Sequence, residues 1–135
     1  MTTRVQAILT AAVSAVTGLG AAVFEGREDP IGTAECPAIN VRPGALERTP
    51  LGRGMDQWDF DLELELHVRG QSWTDAAEAL KALVVSAIAA SAPLAAIGSG
   101  PRLQGSIPDA DPAEENPGRL TATWRFTWAA PPGAA

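Results

Sequence analysis

The sequence predicts an α+β fold, a two-layer sandwich in which a mostly antiparallel sheet carries two helices packed on one face. Three observations predict it. From Trp58 to Arg69 every even position is apolar and every odd position polar, and Leu120 to Trp128 repeats the alternation. A period of two marks strands with one buried and one polar face. Two other segments, Val5 to Val16 and Ser72 to Ser91, place apolar residues at helical spacing. Strands joined by loops imply antiparallel hairpins, and two helix stripes suffice to cover one sheet face.

The elements follow in order. Val5, Ile8, Leu9, Ala12, Val13 and Val16 form the stripe of the first helix. Thr3 and Gln6 have the form of a capping box at its start, and Gly18 and Gly20 end it. Ala21 to Glu25 reads as a short strand. Nine Pro or Gly residues between Gly26 and Gln57 make that region mostly loop. Within it Pro37 to Arg42 alternates like a strand, bounded by Pro37 and Pro43. Gly44 to Met55 reads as a long connection holding Arg48 and Arg53 against Glu47 alone.

The strand Trp58–Arg69 closes at Gly70. Ser72 to Ser91 is the second helix, with Ser72 and Asp75 in capping-box spacing and a stripe of Leu80, Leu83, Val84, Ala87 and Ile88. Pro93 to Ile97 reads as a helical turn and Arg102 to Ile107 as a strand. An acidic loop with Asp109, Asp111, Glu114 and Glu115 leads to the last strand. Residues 1–129 are expected to form one domain and 130–135 a loose tail.

Composition narrows the function classes. A chain of 135 residues buries about two thirds of its unfolded surface, enough for a single core. With 46 % hydrophobic and 19 % charged residues it is not a wholly disordered chain. Sixteen acids against ten bases give a net charge of −6, which argues against a protein built to grip phosphates. One cysteine excludes an intrachain disulfide framework. The N-terminal segment lacks the continuous apolar block of a signal peptide, and no run is long enough for a membrane span, so a soluble cytoplasmic protein is expected.

Asp59, Asp61, Glu63 and Glu65 lie on one strand face, about 6.5–7 Å apart. Such a row could serve acid–base catalysis or hold a hard cation. It also reads as a solvated or subunit-facing strand face, since catalytic carboxylates converge from different elements onto a pocket. His67 extends the face without a second His to join it, as an ordinary surface histidine. Cys36 precedes Pro37 without a histidine in any nucleophile motif, as a small, partly buried residue. Gly98-Ser99-Gly100 has neither the lysine of a phosphate loop nor the context of a nucleophile elbow. Trp58, Phe60, Trp124, Phe126 and Trp128 share the parity of the leucines and belong to the core rather than to a base-stacking platform. Arg119 and Arg125 are expected to offset the carboxylates of the long strand if the two strands are neighbours. No enzyme, cofactor or metal site is predicted.

The order of RVQAILTAAVSAVTGL, a short strand, CPAINVRPG, a long connection, WDFDLELELHVRG, TDAAEALKALVVSAIAAS, PLAAIGSGPRL and RLTATWRFTWAA resembles the tail terminator (tail completion, minor tail protein U-like) proteins of long-tailed bacteriophages and phage-derived particles. The resemblance spans nearly the whole chain and rests on element order and hydrophobic pattern. It implies a structural virion protein that assembles in the host cytoplasm as a ring, a homohexamer, on the tail tube. The ring stops tube polymerisation and offers the head-joining surface to a neck connector, with DNA only passing through the lumen. Other neck components, such as head-closure or tube-related proteins, share the plan. Outside this class stand a small enzyme using the Asp59–Glu65 row and a generic binding module. Some members are thought to use divalent cations in assembly, but no residue here matches a metal motif.

A ring needs one patch to meet a different patch on the next copy. The basic connection with Arg48 and Arg53 is expected to reach such a surface, the acidic loop being one receiver. Asp59, Asp61, Glu63 and Glu65 could line a lumen from which DNA is repelled, or be buried against a neighbouring subunit.

Overall fold

In the computed structural model, which describes residues 3–29, 31–110 and 117–131, five strands form one sheet in the order β1-β2-β3-β5-β4. The elements are α1 (Arg4–Val16), β1 (Ala22–Glu25), a 3-10 turn (Thr33–Glu35), β2 (Ala38–Gly52), β3 (Met55–Arg69), α2 (Trp73–Ala90), α3 (Ala92–Ala95), β4 (Arg102–Ala110) and β5 (Pro117–Ala130). The fold is the α+β sandwich that the patterns predict, with the helices against one sheet face.

The alternation does what its period requires. Phe60, Leu62, Leu64, Leu66 and Val68 on β3 face the helices with Leu120, Ala122, Trp124, Phe126 and Trp128 on β5. Phe60 lies directly opposite Phe126, both almost fully buried. The helices close this face with Ile8, Ala12 and Val16 from α1, Ala77, Leu80, Val84 and Ile88 from α2, and Leu94 from α3. The reciprocal capping box of Thr3 and Gln6 is present, at 3.0 and 3.1 Å.

Five local expectations are corrected. First, Gly44–Met55 is not a loop: β2 runs on to Gly52 and meets β3 through a two-residue turn, Arg53-Gly54, between the paired Gly52 and Met55. Both turn residues have positive φ, +57° and +74°, as a type I′ hairpin turn demands. Second, β1 pairs with β2 in parallel, Ala22 beside Ala38 through Glu25 beside Val41. The segment 26–37 is long enough to carry the chain back to the starting end, as a parallel pairing requires.

Third, Ser72 makes no capping bond through its side chain, and α2 begins instead on a Trp73 N–H to Gly70 carbonyl bond of 3.2 Å. Fourth, Leu83 is half exposed, because the buried stripe of α2 runs through Ala77, Leu80, Val84 and Ile88. Fifth, the strand expected at Arg102–Ile107 extends to Ala110, and Ala130, expected in a loose tail, is buried opposite Asp56 on β3.

The long β2–β3 hairpin and the edge strand β4 position the surfaces that matter. β1 covers only Ala38–Val41 of β2, so among the described residues the outer edge of β2 beyond Val41 has no strand beside it. β4 is the opposite edge. Pro43 and Pro50 lie on the first edge and Pro108 on the second. Proline is tolerated in a paired strand where its missing donor faces away from the ladder. Each open edge is thus interrupted by residues that cannot donate to a further strand, which hinders a continuous ladder there.

Candidate interaction surfaces on the polar sheet face and the hairpin

The four carboxylates predicted on one face of β3 do share it, but they do not form a bare acidic row. Asp59 accepts hydrogen bonds from the Thr127 hydroxyl (2.6 Å) and the Gln57 amide (3.3 Å). The Thr127 hydroxyl in turn accepts from Arg102 (2.7 Å). The Thr127 bond is the main reason the Asp59 carboxyl lies below its ordinary pKa, with Gln57, Arg125 and Arg102 adding to it. Asp61 accepts two bonds from Arg125, which stands directly opposite it (2.9 and 3.3 Å). Arg125 thus offsets a long-strand carboxylate as expected, whereas Arg119 pairs with Asp109 on β4 (2.8 Å).

Glu65 is the buried member. His67 Nε2, in the tautomer that carries its proton there, donates to Oε1 at 3.3 Å. The Asn40 amide also donates to Oε1 (3.2 Å) and Arg42 to Oε2 (3.0 Å). These bonds, with His67 the largest contributor, hold its pKa down at about 2 against burial. His67 is therefore a half-buried partner of Glu65 rather than a solvated surface residue. Asn40 ties the same network to the segment after β1, accepting from the Arg27 N–H (3.1 Å) and donating to the Arg27 carbonyl (2.9 Å). Arg27 itself forms a bidentate pair with Glu35, one arm at 2.8 Å.

Glu63 differs from its neighbours. Among the described residues it makes no hydrogen bond or ion pair, and Arg42, opposite it in the register, is bonded to Glu65. It lies in a shallow groove of about 390 Å³ between β3, β5 and the open β4 edge, beside Gly105, Ile107, Thr121 and Thr123. A β-bulge between Leu103 and Gly105 opens this edge. Ile107 is 71 % exposed there.

A second concavity, of about 210 Å³, lies at the other end of the polar face among Arg27, Asn40, Arg42, Glu65, His67 and Arg119. It is smaller than the roughly 300–1,000 Å³ typical of ligand pockets. Its carboxylate is already saturated by three donors. Asp59, Asp61 and Glu65 are thus separately bonded and Glu63 stands alone, so the row is not a set of acids converging on one substrate cavity. Among the described residues no group of three or more His, Cys, Asp or Glu side chains is arranged to hold a metal. Cys36 is half-buried, with its thiol 3.6 Å from the Gly32 carbonyl.

The basic segment sits on the hairpin. Arg48 lies 3.6 Å from Asp56, a carboxylate that is 4 % exposed, so it is matched within its own hairpin rather than left against Glu47. Arg53 occupies the tip and makes no ion pair or hydrogen bond among the described residues. It is also the one non-glycine residue with positive φ among them. Asp109 belongs to β4, while Asp111, Glu114 and Glu115 lie outside the described residues.

Sequence reading missed Asp56 and Asn40, whose polar side chains sit at buried positions, and the open-edge pair Leu103 and Ile107. Pro108 beside Ile107 was the available signal of an edge strand. No family model and no curated protein matches this chain. Among the described residues no helix is long and apolar enough to cross a membrane.

Proposed function

We propose that this chain is a structural, ring-forming protein of a phage-type tail neck. It would cap the tail tube, end its polymerisation and present the head-joining surface, meeting itself, the tube protein and a neck connector. The reading draws on the resemblance in element order and, physically, on the distribution of exposed apolar side chains. Of the five large exposed hydrophobic residues among the described ones, Leu46 and Leu51 lie on β2 and Leu103 and Ile107 on β4. Those strands are the opposite edges of the sheet along the hairpin half of β2.

Two unlike apolar edges favour a head-to-tail contact, which closes into a ring when the rotation permits. The edge prolines steer that contact toward side-chain packing and away from a continuous ladder. The pairing of Asp61 with Arg125 and of Glu65 with Arg42 offsets two of the four negative charges along the row. This favours a subunit-facing role for the polar face over a DNA-repelling lumen wall. Electron microscopy of the purified protein tests the reading. Annular particles with a central opening are expected; a field of single 14.0 kDa chains would contradict it.

A further inference from the structure

We infer that the tip of the β2–β3 hairpin of one copy docks in the Glu63 groove of the next, with Arg53 seated on the Glu63 carboxylate and Leu51 packed against Ile107. The inference rests on the ring reading above and names the contact that would build the ring.

Three independent features converge. Glu63 is the only one of the four carboxylates of its row without a partner among the described residues, and it lies half-exposed in a groove with an apolar wall. Arg53 is a cation without a partner among the described residues, held at φ +57° in a turn where Asn or Gly would be unstrained. A long cationic side chain kept at a strained position points to a use outside the monomer's own stability. The flanking residues also match, since exposed Leu51 precedes the tip and exposed Ile107 borders the groove.

The two charges cannot meet within one chain. Glu63 stands eight residues along β3 from Met55 at the turn, about 26 Å of strand, well beyond the reach of an arginine side chain. Between copies the contact is heterologous. Each chain offers one tip and one groove, so a closed set satisfies every Arg53 and every Glu63. The expected acidic receiver is thus supplied by a single carboxylate on the sheet face and does not need the segment after Asp109.

A charge swap tests this. Arg53→Glu and Glu63→Arg each place like charges at the contact and should abolish the closed oligomer in native mass spectra. The double variant R53E/E63R should restore it. Far-UV circular dichroism of all three is expected to match the parent. In a C36S background, L51C and I107C together should cross-link neighbouring copies under mild oxidation. If the parent forms a closed oligomer but the single charge reversals assemble equally well and the cysteines do not cross-link, the tip-in-groove contact is wrong while the ring stands. A parent chain that stays monomeric removes both.

Discussion

Arg48 and Asp56 meet diagonally across the β2–β3 hairpin, the guanidinium 3.6 Å from a carboxylate oxygen that has no hydrogen-bond partner among the described residues. The pair reassigns Arg48 from a free cation of a loop to a counter-charge for a buried acid. Arg48 is exposed but Asp56 is buried, so removing the arginine leaves a buried acid uncompensated, which is costly. Arg48→Glu should therefore lower the unfolding free energy by about 2 kcal/mol or more. Urea denaturation monitored by tryptophan fluorescence checks this, and an unchanged midpoint would show that Asp56 does not need its partner.

Arg53, three residues beyond Pro50 on the same hairpin, should behave in the opposite way. A non-glycine residue in the left-handed region costs on the order of 1 kcal/mol, and Asn-Gly is the favoured pair for this turn. Arg53→Asn should raise the stability of the isolated chain by about 0.5–1 kcal/mol while weakening self-assembly. Thermal unfolding at low protein concentration measures the first effect and native mass the second. A loss of stability would mean that the arginine makes an intrachain contact at the tip.

Glu65 sets a pH dependence. Its carboxyl has a pKa of about 2 in the folded chain against an ordinary value of 4.5, so the folded state holds the proton less tightly than the unfolded one. The resulting stability is fully present above pH 4.5, declines as the pH falls, and is gone below about 2. A shift of this size corresponds to about 3 kcal/mol, which solvent screening at this partly open site reduces to about 2 kcal/mol. Glu65→Gln should cost on the order of 2 kcal/mol at neutral pH and almost nothing near pH 2. Unfolding curves across that range would expose a discrepancy if the difference between the two proteins stayed constant.

Gly118 lies under the first residue of α2. A Cβ added there would overlap the Trp73 indole ring, so glycine is what lets the helix start close over β5. Gly118→Ala should displace the ring, alter the near-UV circular dichroism and destabilise the fold by about 1–3 kcal/mol. A spectrum identical to the parent's would indicate that the indole has room elsewhere.

Legibility followed the physics of each segment. The strands with one buried face, β3 and most of β5, were readable residue by residue, because burial imposes a strict alternation. The outer half of β2 was not. It is exposed on both faces, so nothing selects apolar residues at every second position. A bulge between Pro43 and Leu46 also shifts the helix-side residues from Val41 and Pro43 to Leu46 and Arg48, which breaks the parity. The parallel seating of β1 was hidden because four residues carry no directional signal. On the polar face the composition of the row and the counter-charge Arg125 were legible, but the partners of Glu65 were not. Asn40 and Arg42 reach Glu65 from β2, which only the sheet order brings alongside. For the same reason the isolation of Glu63 appears only once those partners are assigned.

The central claim, that the working unit is a closed ring of identical chains, is tested most directly by native mass spectrometry of the purified protein across concentration, with and without Mg²⁺. The account predicts a single discrete assembly at a fixed multiple of the 14.0 kDa chain, six by the family resemblance, that replaces the monomer as concentration rises. A monomer at every concentration, or an open-ended ladder of multiples with no closed species, would contradict it.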